Sequence, residues 1–282
     1  MRRWFMVALY AATFALLAWF GWRGRDYYPL PLVERPHHAL HWELKPGGTV
    51  ALWYGVAGAG LMTAMLAYSL RKRIPGLRRA GRLGTWLDLH IWCGVTGPLL
   101  IVLHSALKVG GLIAIAFWSM VAVALSGVFG RFLYAQIPRT ASGDQLSLDE
   151  ARRLDAELTA RLRDEFDLSA SDLAPFEPPT GGASRSVAAA LAALAVEPWR
   201  RRRRLARFRA AHARLPGHTR SLLAELAGQR ALLHRRLALW RSLHELFHYW
   251  HVFHKPFALL MYLFAAVHIG VAWATGYALG GS

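Results

Sequence analysis

Residues 86–107, WLDLHIWCGVTGPLLIVLHSAL, and residues 249–275, YWHVFHKPFALLMYLFAAVHIGVAWAT, decide how the chain is read. Each is apolar and long enough to cross a hydrocarbon core of about 30 Å, which takes roughly 20 residues of helix. Each also carries a histidine near either end: His90 and His104 in one, His254 and His268 in the other, fourteen residues apart in both. At about 100° per residue, fourteen steps fall about 40° short of four turns, and at about 1.5 Å per residue they cover roughly 21 Å. Both helices therefore present two imidazoles on one face, one toward each membrane surface.

Working outward, residues 4–22, 49–70 and 112–135 are also apolar runs of spanning length. Tryptophan and tyrosine crowd the run ends (Trp4, Trp22, Trp53, Tyr54, Trp86, Tyr134, Tyr249, Trp273), where amphipathic rings sit at headgroup level. The first run is longer than a signal-peptide core and no small-residue cleavage site follows it, so it reads as an anchor. Hydrophobic residues make up 55% of the chain and charged residues 18%, and the mean hydropathy is +0.24, which excludes an ordinary soluble domain. The 34 Lys and Arg against 17 Asp and Glu cluster beside the apolar runs, so the net +17 is a topology signal and no nucleic-acid partner is expected. Residues 71–82 hold Arg71, Lys72, Arg73, Arg78, Arg79 and Arg82 with no acid, and Arg2 and Arg3 precede the first run. Both flanks belong in the cytoplasm, which puts residues 23–47 and the C-terminal tail outside and residues 138–247 inside. Arginines 200–204 then fall on the inner side without having been used to set it.

The expected fold class is all-α: a polytopic membrane protein with five transmembrane helices and a helical cytoplasmic insert. Residues 1–137 hold spans one to four, 138–247 the insert, and 248–282 span five with the tail. In the insert, Ser147 and Glu150 form a capping box ahead of a helix over 148–166. A Pro/Gly-rich break follows (Pro175, Pro178, Pro179, Gly181, Gly182), then an alanine-rich run over 187–196, too short for a sixth span. From His218 a leucine pattern leads toward span five. With no nucleotide-binding fingerprint, the insert reads as a helical hairpin for docking.

Spans three and five run parallel, since one crossing and the insert separate them. His90 is then level with His254 on the inner side, and His104 with His268 on the outer side. Two facing imidazoles can hold one haem by both axial positions, and two levels hold two. Gly94 and Gly97 lie within about 40° of the His90 direction, and Ala258 and Ala265 near that of His254, leaving room for a flat macrocycle. Iron with two histidines and no open position passes single electrons. His251 is the alternative to His254 if Pro256 kinks the helix. Arg131, at the inner end of span four, is the candidate partner for a haem propionate, with Lys255 and Lys108 behind it. His37, His38 and His41 form an H-H-x-x-H cluster outside, read as a rim or solvated loop before a metal site. Cys93 is the lone cysteine, which rules out a disulfide framework, a four-thiolate cluster and C-x-x-C-H haem attachment.

Two parallel helices, each with H-x13-H, resemble the di-haem core of the four-helix transmembrane b-type cytochromes, both the quinol-oxidising cytochromes b and the ferric-reductase-like membrane domain. The resemblance covers residues 86–135 and 249–275. It implies His90, His104, His254 and His268 as axial ligands of two non-covalent b-type haems. It also implies electron transfer across the bilayer between a quinol pool or cytoplasmic donor and a periplasmic partner protein. The expected setting is the membrane subunit of a hetero-oligomeric oxidoreductase, embedded in the lipid of a bacterial-type inner membrane, N-terminus cytoplasmic and C-terminus periplasmic. Two other classes compete: a histidine-dependent metal or proton transporter, and a non-redox scaffold whose arginine-rich insert binds a partner or anionic lipid.

Overall fold

The structure, a computed structural model, describes residues 2–111, 113–136, 147–166, 187–211, 213–214, 216–238 and 240–276. The expected Pro/Gly-rich break between 175 and 182 lies outside them. The helices are α1 (Arg2–Arg23), α2 (His41–Leu44), α3 (Thr49–Ala64), α4 (Leu66–Arg73), α5 (Leu83–His104), α6 (Ile113–Gln136), α7 (Leu148–Phe166), α8 (Val187–Ala211), α9 (Gly217–Ala238) and α10 (Trp240–Ala274), with single 3-10 turns at Arg35–His37 and Pro75–Arg79. No strand occurs among the described residues. Five segments are long and apolar enough to cross a membrane: Trp4–Arg23, His41–Arg73, Leu83–His104, Ile113–Gln136 and Ser242–Ala274. The chain is therefore an all-α, multi-pass membrane protein. Many of the large apolar side chains on these segments point outward, among them Trp19, Trp118, Leu125, Leu259 and Trp273. Outward apolar surface is the expected state of a helix whose solvent is lipid.

The chain divides into two compact units, residues 1–129 with 251–282, and residues 130–250. In the first, α3 and α5 pack most closely. A Cβ on Gly97 would lie 3.1 Å from the Gly58 carbonyl oxygen and one on Gly58 3.0 Å from that of Gly97, so each backbone touches the other where neither has a side chain. Lipid offers no hydrophobic drive between helices, and close backbone contact through small residues takes its place. Trp92 of α5 donates its indole N–H to Thr13 of α1 at 3.1 Å, tying the first span to the third.

The second span is not one continuous helix. It breaks at Met65, between α3 and α4, with no proline or glycine at the break. Two carbonyls around it serve outside partners: Met65 accepts from His90 Nδ1 at 2.9 Å, and Met62 accepts from the Tyr262 hydroxyl of α10. Side chains that bond carbonyls around a turn of helix are a recognised cause of such interruptions. Around the Met62–Tyr262 contact, Met62, Met120 and Met261 from α3, α6 and α10 are buried together, with Ile101 and Val102 of α5 against them. Met261 is seven residues from both His254 and His268, so this methionine cluster occupies the middle of the bundle, where an unbranched, adaptable side chain fills irregular space.

In the second unit, Ser147 and Glu150 form the capping box: Ser147 N–H donates to Glu150 Oε2 at 2.7 Å, and Glu150 N–H donates to Ser147 Oγ at 3.2 Å. Helices α7, α8 and α9 bury Leu158, Leu162, Phe208, Leu223, Leu226 and Leu233 in one core. The alanine-rich run continues helically through Pro198 into the arginines as a single α8; those arginines, and not a break at the proline, keep it from being a span. The leucine pattern forms α9, Gly217–Ala238, and α10 starts at Trp240, with residue 239 between them outside the described residues.

Candidate functional site

The four intramembrane histidines all lie in the first unit, and the structure groups them two by two. At one level the rings of His104 and His268 face each other with centroids 6.4 Å apart and planes at 68°. At the other, His90 and His251 are the histidines close enough to act on the charge of His254. His251 sits beside the second pair, one helical turn from His254.

Three of the four rings have an anchor. His104 Nδ1 bonds the Ala51 carbonyl of α3 at 2.8 Å, and His90 Nδ1 bonds the Met65 carbonyl at 2.9 Å. A carbonyl oxygen only accepts, so in both rings Nδ1 carries the proton and Nε2 presents its lone pair. His254 Nδ1 lies 2.7 Å from Ser126 Oγ of α6, and the Ser126 hydroxyl donates to the Val123 carbonyl at 2.9 Å. With the serine proton committed, the serine oxygen accepts and His254 Nδ1 donates. These three rings are thus set in the tautomer that ligates through Nε2, with the outer-shell hydrogen bond that metal-bound histidines use.

Packing supports the same rings. Gly55 of α3 lies against His104: a Cβ there would come within 2.6 Å of its Nδ1. Tyr68 of α4 stacks beside His90 at 5.2 Å between centroids, and Lys72 Nζ sits 4.6 Å over the Tyr68 ring. Helices α5 and α10, which carry the histidines, are not close neighbours backbone to backbone; α5 packs on α3, α1 and α4.

The other residues singled out in the sequence fall elsewhere. Gly94 and Gly97 face α3, where a Cβ on Gly94 would meet Met65 Sδ at 3.6 Å and one on Gly97 would meet Met62 Cγ at 2.8 Å. Their missing side chains serve the α3–α5 crossing, and the room expected there for a macrocycle is occupied by methionine. Arg131 belongs to the second unit, exposed, with its guanidinium 5.8 Å from the Tyr134 ring centroid. Lys108 and Lys255 are exposed, and Cys93 is a buried free thiol. His37, His38 and His41 do not converge: His41 Nδ1 lies 3.1 Å from the Tyr27 hydroxyl, and His38 Nδ1 accepts from Leu40 N–H at 3.1 Å. Among the described residues no three or more His, Cys, Asp or Glu side chains come together as a metal-ligand cluster. Sequence reasoning missed Ser126, whose signal was one of two serine hydroxyls in span four, and Gly55, Ala51 and Met65, which act through backbone and carry no such signal.

Comparison with profiles of known families, with curated proteins and with solved structures finds no match. What the fold and the site define is a class: a multi-pass helical membrane protein whose spanning helices carry paired histidines, three of them anchored through Nδ1.

Proposed function

We propose that the chain is a membrane di-haem b-type cytochrome that passes electrons across the bilayer. One observation carries the reading. An imidazole nitrogen bonds a metal at about 2.0–2.1 Å and lies roughly 1.1 Å from its own ring centre, so two rings on opposite sides of one ion have centroids about 6.2–6.4 Å apart. His104 and His268 stand at 6.4 Å. The donor set fits the same group: two imidazoles per level, with Nε2 of His104 and His90 turned away from the anchoring bond, and α5 and α10 not in close backbone contact.

Bound there, haem would supply one-electron chemistry at iron with both axial positions filled. The chain's own part is orientation. The carbonyls of Ala51 and Met65 and the Ser126 hydroxyl fix His104, His90 and His254 and raise their basicity as ligands. The methionine cluster lies between the two levels. In this reading the protein sits in a bacterial-type inner membrane with its N-terminus in the cytoplasm, and serves as the membrane subunit of a larger oxidoreductase. A quinol or cytoplasmic donor lies on one side and a periplasmic partner on the other.

The test is a reduced-minus-oxidised optical spectrum of purified chain with haem extraction and counting. Two acid-extractable low-spin b haems per chain are expected. His104→Ala and His268→Ala should remove the same haem, and His90→Ala and His254→Ala the other. Folded protein without haem refutes the reading; bound transition metal without a haem spectrum would favour a transporter.

A further inference from the structure

Arg35 is a second unusual feature of the membrane unit. It lies in the α1–α2 connection and is only 7% exposed. Its guanidinium makes three hydrogen bonds, all to backbone carbonyls: Nε to Leu30 at 2.9 Å, Nη2 to Tyr28 at 2.7 Å and Nη1 to Ala106 at 2.6 Å. Among the described residues no carboxylate pairs with it; the ion pair nearby in sequence joins Arg23 to Glu43 instead. A buried cation without a counter-anion is expensive, so a fold that keeps one has a use for its position or its charge.

The position is informative. Ala106 is two residues past His104, wholly buried, and with Leu107 has positive φ, 47° and 59°. These are the only non-glycine residues with positive φ among those described. A left-handed pair of side-chain-bearing residues persists only where its surroundings over-determine it. Helix α5 ends at His104, Ser105 closes it with its amide on the Ile101 carbonyl, and the strained turn follows at once. Arg35 is what grips that turn from outside, at the negative end of the α5 dipole, where a cation is favoured.

We infer that Arg35 is a positioning residue for the His104–His268 level: it locks the left-handed turn that ends α5 just past His104, and it brings a buried positive charge to that end of the bundle. The inference rests on the haem reading for the second effect and on the structure alone for the first. A fixed positive charge favours the reduced, less positive state of a nearby redox group. The His90 level lies roughly 21 Å further along the helix, where the same charge acts far more weakly.

The experiment compares wild type, Arg35→Gln and Arg35→Lys as full-length holoprotein in detergent, by redox titration and low-temperature EPR. The component lost in His268→Ala identifies the haem concerned. In Arg35→Gln that component should titrate at a lower potential with an altered EPR signal, while the other component stays as in wild type. Arg35→Lys keeps the charge but loses the three-carbonyl fork, so it should return the potential toward wild type and leave the EPR signal altered. Wild-type potentials in Arg35→Gln, equal shifts of both components, or a lysine variant no closer to wild type than the glutamine one would overturn the inference. If Arg35→Gln does not fold, the EPR signal of Arg35→Lys decides: a change confined to the His268-dependent component supports the role, and no change overturns it. A wild type without haem sinks the proposed function, and the clamp is then read by amide exchange. Residues 105–108 should exchange about tenfold faster or more in the Arg35 variants, and unchanged exchange overturns it.

Discussion

Two glycines beside histidine rings make a matched pair for substitution. A Cβ at Gly55 would stand 2.6 Å from His104 Nδ1 and 2.8 Å from its Cε1, whereas one at Gly127 would stand 3.8 Å from His254 Cε1. Comfortable carbon contacts begin at about 3.5 Å, so Gly55→Ala drives the His104 ring back by roughly 0.8 Å while Gly127→Ala moves nothing. A retreat of that size stretches the 2.8 Å bond to Ala51 past any useful hydrogen-bond length. Leaving the His104 Nδ1–H donor unpaired costs about 1–3 kcal/mol, against a helix-propensity gain of about 1 kcal/mol that both variants share. Loss of an outer-shell partner also weakens a histidine-held metal about 10–100-fold. The assay is haem per chain by extraction, together with thermal unfolding in detergent. With two haems bound as proposed, Gly127→Ala should keep both and unfold at or above the wild-type temperature, and Gly55→Ala should lose the one that His268→Ala also removes. Two firmly held haems with a wild-type spectrum in Gly55→Ala would refute the anchoring role given to the His104–Ala51 bond.

Ser126→Ala removes the acceptor for His254 Nδ1, and about 10–100-fold weaker retention of the haem at the His90 level is expected by competitive extraction. Ser147→Ala should destabilise the start of α7 by about 0.5–2 kcal/mol, measured as faster amide exchange over 148–151. The Glu150 carboxyl is held below its ordinary value, first by the Ser147 backbone N–H and then by the Ser147 side chain. Its contribution to the cap is therefore complete above the usual carboxylate pKa of about 4.3 and is lost as pH falls below that through its own lower pKa; protection of the first turn of α7 should follow. Leu162→Ala in the core of the second unit should cost about 2–5 kcal/mol by denaturant unfolding. Arginines 200–204 lie beside the exposed Trp199, whose ring carries Arg203 at 3.6 Å; if they face the cytoplasm, protease should cleave near them in inside-out vesicles only, and cleavage in right-side-out vesicles would reverse the topology.

The parts of this architecture that repeat along one helix were readable beforehand. The five spans follow from run length, and the shared face of His90 with His104 follows from spacing, because both are properties of one chain segment. The capping box at Ser147 is local in the same way. Gly94 and Gly97 show where that kind of reading stops: a helical wheel gives their angle from His90 but not which neighbour stands there, and α3 with Met62 and Met65 stands there. The break at Met65 carries no breaker residue, since its causes, His90 and Tyr262, are distant in sequence. Arg35 carries no local signal of its burial, which depends on a turn about seventy residues away.

The break at Met65 also bears on how the protein is made. A span inserted alone has no water to satisfy its carbonyls and must close them on its own amides. The hydroxyl that claims the Met62 carbonyl belongs to the last span, two hundred residues behind it in synthesis. The final bonding of this segment is acquired late, after the intervening chain has been translated and the fifth span has docked. A truncated chain ending before Tyr262 would carry the second span without that bond, a state that membrane quality-control proteases could distinguish from the completed bundle.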